Sequence, residues 1–392
     1  MSEYSTGGNN TMFRHLKSLS LALAITLVGG VAHAGSIKIG MNVPLTGFAA
    51  ADGKSALTGA ELAVEQANAE GGVNGKTIEL VVYDDQASPK ESVPIATRLT
   101  SQDEVVAAVS GSYSGATRAA AGVFQAAGTP YISAFAVHPD ITRAGDYVFR
   151  TSFVGTVQGK AGAKLIGETL GKKRVVVITL KNDFGKSLAT GFKEVADKYG
   201  ITVISEYEYS IKDRQFGPIV SKVKADNPEA IYASGYFFTA GPLVNQLRAA
   251  GVDVPVIGQE GYDSDKFIEI AGEASEGVII TTSLDRDSAS SITQDFIADF
   301  EAKAGYGADM VAASGHTAIK VLVSALRVAG DMDRAALRTA IANSSVEAST
   351  GTISFNALGE VKKNVQVQIV KGGKWHRHSV ISDSDLLAPP SK

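Results

Sequence analysis

From residue 37 onward, short apolar runs alternate with longer stretches in which apolar residues recur at steps of three and four. The runs Ile37–Val43, Ile78–Asp84, Val105–Val109, Tyr131–Ala134 and Tyr147–Arg150 predict one series of strands. Val175–Leu180, Val203–Tyr207, Ala230–Ser234, Val254–Gly258 and Val278–Thr282 predict a second. Most of these runs are apolar along their length instead of alternating, as strands must be when both faces of a parallel sheet are covered. The stretches between them read as helices: Ala56, Ala60, Ala63, Val64 and Ala67 fall on one helical face. A helix is expected over Ala116–Ala127 and a long acidic-basic one around Ala312–Val328. Alternation of this kind predicts an α/β protein.

Two of the helices open alike. Gly53-Lys54-Ser55-Ala56-Leu57-Thr58-Gly59 is matched by Gly185-Lys186-Ser187-Leu188-Ala189-Thr190-Gly191. Apolar positions 56, 60, 63, 64 and 67 in the first unit correspond to 188, 192, 195, 196 and 199 in the second. Equal spacing from equal starts predicts two βαβ units of the same build, although the generic needs of a strand-to-helix turn could also produce so short a match.

The N-terminal segment has a different pattern. Leu19 to Val31 carries no charge, Arg14 and Lys17 precede it, and Ala32-His33-Ala34 follows. An apolar run of this length is too short to span a bilayer as a helix, and the charged, apolar and small-residue order is that of a secretory signal, cleaved before Gly35. Met1 to Thr11 adds nothing to such a signal, so Met12 is the expected start.

Composition narrows the function. The 392 residues are 44% hydrophobic and 20% charged, with 41 glycines and no cysteine. Without cysteine there is no disulfide, thiolate metal site or lipid-anchored N-terminal cysteine. Net charge is −4, and loss of residues 1–34 removes Arg14, Lys17 and Glu3 to leave −5. No bulk positive field exists for nucleic acid or anionic lipid, and 7% aromatics argue against a base-stacking surface.

Catalytic and nucleotide motifs fail on inspection. A phosphate loop needs glycine five residues before its Gly-Lys pair, where this chain has Phe48 and Leu180. Gly111-Ser112-Tyr113-Ser114-Gly115 is centred on tyrosine where a nucleophile elbow needs serine. His138, His316, His376 and His378 show no metal spacing, and His376-Arg377-His378 reads as a solvated tail. No metal, cofactor or catalytic constellation is expected.

What remains are polar residues at strand ends, where open α/β sheets hold ligands. Ser114 follows a strand and precedes a helix, so it is either an ordinary N-cap or a donor to a bound carboxylate. Glu260 and Tyr236 end two neighbouring strands, where they either receive an ammonium group or are solvated loop residues.

These residues lie within segments that carry a resemblance. Pro44-Leu45-Thr46-Gly47, Thr58-Gly59-Ala60-Glu61-Leu62-Ala63, Gly71-Gly72-Val73-Asn74-Gly75, Tyr83-Asp84-Asp85 and Ser88-Pro89-Lys90 are among them. So are Gly258-Gln259-Glu260-Gly261 and Ala271-Gly272-Glu273-Ala274-Ser275-Glu276-Gly277. From Ile37 to Trp375 the chain resembles the periplasmic branched-chain amino-acid binding proteins of ABC importers. That resemblance implies a type I fold of two Rossmann-like lobes, a three-stranded hinge and a ligand cleft between the lobes. It implies a soluble periplasmic monomer that is no enzyme and delivers an amino acid or related carboxylate to a membrane permease. Lobe 1 would comprise residues 36–155 and 284–364, and lobe 2 residues 156–283 and 365–383. The tail 384–392, with Pro389-Pro390, is expected to be disordered.

By the same resemblance the ligand carboxylate would meet Ser114 and the backbone of Phe135, Ala136 and Val137. The ammonium would meet Glu260 and Tyr236, while Phe184, Asp52 and Tyr262 would line the cleft. Val137 stands where the family has a threonine, Phe135 where it has alanine, and Asp52 where it has an aromatic ring. Ala87 and Tyr113 stand where some members have cysteines. These departures imply a ligand side chain that is larger, aromatic or polar-tipped, and not a plain branched one. A sensory module of the same fold and a secreted α/β enzyme are the other classes; the first needs a signalling domain and the second a nucleophile beside a base.

Overall fold

The computed structural model describes residues 35–330 and 333–390. The secretory segment 1–34, with the expected start at Met12, lies outside the described residues, as do 391–392 at the tail. Two large sheets organise the rest.

The first sheet contains β1 (Ile37–Val43), β2 (Ile78–Asp84), β3 (Ala107–Ser110), β4 (Tyr131–Ser133) and β5 (Val148–Arg150), all parallel, in the order β2-β1-β3-β4-β5. The second adds β6 (Arg174–Leu180), β7 (Thr202–Tyr209), β8 (Ala230–Ala233), β9 (Val256–Gln259) and β10 (Ile279–Thr282), which run parallel in the order β7-β6-β8-β9-β10. Both therefore follow the same 2-1-3-4-5 path. A hairpin of β11 (Ser345–Ala348) and β12 (Gly351–Ser354) stands apart. Late in the chain, β13 (Val365–Lys371) and β14 (Lys374–Ile381) return to the second sheet antiparallel at its edge.

Eleven α-helices are assigned among the described residues. They are α1 (Ala50–Ala69), α2 (Pro89–Ser101), α3 (Ser114–Ala126), α4 (Gly155–Lys164), α5 (Asp183–Val195), α6 (Gly217–Asp226), α7 (Phe237–Ala249), α8 (Asp265–Ala271), α9 (Ser291–Ala304), α10 (Met310–Ala329) and α11 (Arg334–Ala342). They cover both sheet faces. In the first lobe, Leu99 of α2 and Phe124 of α3 pack on one side with Tyr131 and Val148, while α1 and α10 close the other.

The sequence repeat has a packing cause. Its two helices, α1 and α5, each follow the first strand of a sheet and occupy equivalent places. A Cβ at Gly53 would lie 1.7 Å from the Pro44 carbonyl oxygen, and one at Gly185 would lie 2.1 Å from that of Leu180. One helical turn and a half later, Gly59 is pressed against the Ala312 carbonyl of α10 and Gly191 against that of Thr156 in α4, at 2.1 and 2.0 Å from a notional Cβ. These glycines let helix backbones touch; phosphate has no part in it.

Three expectations need correction. The helix around 312–328 is a core element, since Val311 to Ile319 are all buried, because it lies between α1 and α11. His376-Arg377-His378 is no solvated tail: it belongs to β14, and Arg377 pairs with Asp285. The segment after Ser384 is not disordered over its described part, because Leu386 and Leu387 are 4% and 2% exposed against Val365, Val367 and Ile381.

Gly59 makes a paired test of this packing. Gly59→Ala should lower unfolding stability by about 1–3 kcal/mol, since the α1–α10 contact leaves no room. Gly122→Ala, on α3 with nothing within 4 Å, should raise it by about 0.4–1 kcal/mol. Urea titrations of both variants check the contrast.

Candidate functional site

In each sheet the order reverses at the first strand, and open α/β sheets leave a crevice at the carboxyl ends of the strands there. The two crevices face one another. A cavity lies between them. From the first lobe come Asp52 after β1, Tyr113 and Ser114 after β3, Phe135 and Ala136 after β4, and Met310 and Val311 opening α10. The second contributes Phe184 after β6, Tyr236 after β8, and Glu260, Gly261 and Asp263 after β9.

The first lobe brings hydrogen-bond donors to the cavity. Tyr113 is the cap residue of α3 and Ser114 its first helical residue, which decides against Ser114 as an ordinary N-cap. The Ser114 hydroxyl oxygen accepts the Val137 N–H at 3.2 Å, so its own hydrogen is left to donate. Thr117 N–H already reaches the Tyr113 carbonyl. The N–H groups of Ser114, Gly115 and Ala116 have no carbonyl ahead of them in the helix, and the helix dipole adds partial positive charge. Arg150, fully buried, fixes the facing loop. It donates to the Ala136 and His138 carbonyls at 3.0 and 2.8 Å and to Glu360 at 3.0 Å.

Both lobes bring acids to the cavity. Glu260 opens a one-turn 3-10 helix, is 3% exposed, and has neither carboxylate oxygen hydrogen-bonded. Burial pushes its carboxyl up to about 8, with the Lys363 charge opposing and the Asp263 charge adding to the rise. Asp52 accepts the Tyr113 hydroxyl at 2.6 Å and is pushed up to about 7, again by burial. Asp263 differs: Thr282 and Arg286 each donate to it.

A column of rings also lines the cavity. Tyr113 stacks on Tyr236 at 4.1 Å with 3° between planes, and Tyr236 stacks on Phe184 at 4.9 Å. Tyr113 belongs to the first lobe and the other two to the second, so the column joins the lobes. Outside it, an open region of about 1,020 Å³ is edged by the ion pair of Arg118 on α3 with Asp183 on α5, at 2.8 Å.

Seven of the nine residues singled out from sequence line the cavity: Asp52, Ser114, Phe135, Ala136, Phe184, Tyr236 and Glu260. Two do not. The Val137 side chain is fully buried toward Gly155, and its N–H is spent on Ser114, so it is not free for a carboxylate. Tyr262 is also fully buried, lying over Gly258 and beside Phe267 at 5.2 Å. A turn of about three residues carries positions 260 and 262 to different sides, which sends Glu260 inward and Tyr262 into the core. Sequence reasoning missed Tyr113, Gly261, Asp263, Met310 and Val311 as lining groups. Tyr113 alone had a local signal, its place after a strand that ends at the order reversal.

Comparison with known proteins agrees with this geometry. A family model described as periplasmic binding protein matches residues 36–374. A leucine-, isoleucine-, valine-, threonine- and alanine-binding protein of Pseudomonas aeruginosa is 30% identical over 93% of this chain and 98% of its own length. Among solved structures, the branched-chain amino acid transporter substrate binding protein LivJ of Streptococcus pneumoniae, in complex with isoleucine, is 29% identical. It has a TM-score of 0.83, with 88% of this chain and 99% of that one covered. A solute binding protein of an R. palustris ABC transporter, in complex with benzoate, is 26% identical with a TM-score of 0.81, covering 89% and 99%.

Glu260 sets a pH dependence of stability. Its carboxyl holds a proton up to about 8 when folded but only to about 4.5 when unfolded, so its contribution favours folding below pH 4.5 and is lost as pH rises through 8. Glu260→Gln removes that loss. The variant's stability relative to wild type should therefore climb by a few kcal/mol between about pH 5 and 8, read from urea unfolding at each pH.

Proposed function

We propose, on the premise that this chain belongs to the periplasmic binding protein family, that it is a receptor for an amino acid or amino-acid-like carboxylate serving an ABC importer. The observation that carries this reading is that the two lobes offer opposite chemistry to one cavity: Glu260 with both oxygens unpartnered from the second, and Ser114 with the start of α3 from the first. A zwitterion has its charges in that arrangement. Its ammonium would restore the partners that Glu260 lacks, and its carboxylate would take the Ser114 hydroxyl and the first N–H groups of α3. The secretory pattern of residues 1–34 supports delivery to the periplasm. The sheets support the division into lobes of 36–155 with 284–364 and of 156–283 with 365–383, since the second sheet takes strands from 174–282 and again from 365–381.

A carboxylic acid without an amine is the second reading. The ring column of Tyr113, Tyr236 and Phe184 favours it, as does the likeness to a benzoate complex. Against it stands Glu260, which would face such a ligand with no positive group to receive.

Proton counting separates the two. Glu260 holds its proton at neutral pH in the empty site and must give it up to pair with an ammonium, so binding of an amino acid at pH 7 should release close to one proton. Calorimetry of the same titration in buffers of different ionisation enthalpy measures this. Glu260→Gln should abolish the release and weaken binding by about 1.5–3 kcal/mol, the contribution of a hydrogen bond to a charged group. Tight binding of benzoate with no response to any amino acid would remove the zwitterion reading.

A further inference from the structure

We infer that Asp52 selects the ligand's side chain, and that the site takes an amino acid carrying a second positive charge at its side-chain tip. The inference rests on the zwitterion reading and adds the identity of the side chain to it.

The cavity lining holds three carboxylates, those of Asp52, Glu260 and Asp263, and no cationic side chain. Asp263 is accounted for by Arg286 and Thr282. Glu260 is taken by the α-ammonium. Asp52 is what remains. The Tyr113 hydroxyl donates to its Oδ2 at 2.6 Å, and among the described residues it forms no ion pair. A zwitterion with an apolar side chain would leave the buried Asp52 with the Tyr113 hydroxyl as its one hydrogen-bond partner, able to stay buried only by keeping a proton. A cationic nitrogen would compensate it.

Asp52 is held at the cavity by the Tyr113 hydroxyl. The next residue, Gly53, has its backbone seated on the Pro44 carbonyl, where a Cβ would come within 1.7 Å, and this anchors the first turn of α1. The Tyr113 ring that holds Oδ2 is itself clamped by Tyr236 at 4.1 Å. The sequence repeat sharpens the point. Asp52 and Phe184 each precede the Gly-Lys-Ser of their unit, so equivalent positions of the two lobes offer the ligand an acid from one side and an aromatic ring from the other. Met310 and Val311 bring apolar surface near the acid, and low polarity strengthens an ion pair once it forms. The long methylene stem of a basic side chain suits the rings while its tip reaches the carboxylate.

The test is equilibrium titration of the full mature chain with L-lysine, L-arginine, L-glutamine and L-leucine. Lysine or arginine should bind at least tenfold tighter than leucine and glutamine. Asp52→Leu should lower that preference at least tenfold and improve leucine binding. Should Asp52→Leu fail to fold, Asp52→Asn keeps the shape and should lower the preference for lysine and arginine over leucine at least tenfold. The inference falls if leucine or glutamine binds as tightly as both basic amino acids, or if their preference survives loss of the Asp52 charge. Glu260→Gln distinguishes this failure from failure of the zwitterion reading. Tight leucine binding that Glu260→Gln destroys and Asp52→Asn leaves alone overturns only the role of Asp52. Absence of binding by all four amino acids overturns both.

Discussion

Glu260 is buried with both carboxylate oxygens unpartnered, and in an apolar interior such a group costs free energy until it gains a proton or an ammonium. The protein contains a cation that could have supplied the charge. Lys363 is buried near enough to oppose the rise of the Glu260 carboxyl, but it forms no ion pair with it; its Nζ reaches the Thr151 carbonyl at 3.4 Å. Arg150 is spent on Glu360 and two loop carbonyls. Other buried acids are provided for: Asp85 accepts from Asn42, Ser92 and Ser112, and Asp309 from Ser55 and the Ala312 N–H. Of the three carboxylates that line the cavity, Glu260 is the one with both oxygens unpartnered.

Placing that carboxylate opposite a helix N-terminus requires two lobes built to one plan. Parallel strands need crossover helices, and a 2-1-3-4-5 order leaves each sheet one reversal point. Close glycine contacts then fix where the first helix of each lobe begins, at Gly53 and at Gly185, and so where Asp52 and Phe184 stand. A Cβ at any of these contacts would push the helix outward and carry the site residue with it. Core packing and site geometry are here the same constraint.

This explains which features were legible in the sequence. The parallel strands are continuous apolar runs, and the repeat is visible because both lobes need glycine at the same helical steps. Ser114, Glu260 and Tyr236 could be singled out because a strand end followed by a helix fixes where such a residue stands. Side-chain direction within a tight turn has no such signature, so Tyr262 could not be separated from Glu260, or Val137 from Ala136. Met310 and Val311 enter the cavity only because α10 packs on Gly59 and Gly315 against α1, a contact across some 250 residues with no local pattern. The β13–β14 hairpin mixes charged and aromatic positions because it is a sheet edge with one solvated face, and so the His376–His378 stretch imitates a tail.

The arrangement of charge also bears on closure. The ring column and the Arg118–Asp183 pair join the lobes, and stacked rings contribute about 0.5–1.5 kcal/mol beyond their buried area. Asp52, from the first lobe, and Glu260, from the second, share a space that excludes water, where burial favours the protonated form of both carboxyls. A ligand can shift such an equilibrium only by its difference in affinity for the two states. On the zwitterion reading, an ammonium at Glu260 in the second lobe and a carboxylate at Ser114 in the first would be contacts that coexist only when the lobes meet. On the zwitterion reading the ammonium lets Glu260 ionise in that space, and this makes a bound cation the group whose presence would most change the balance.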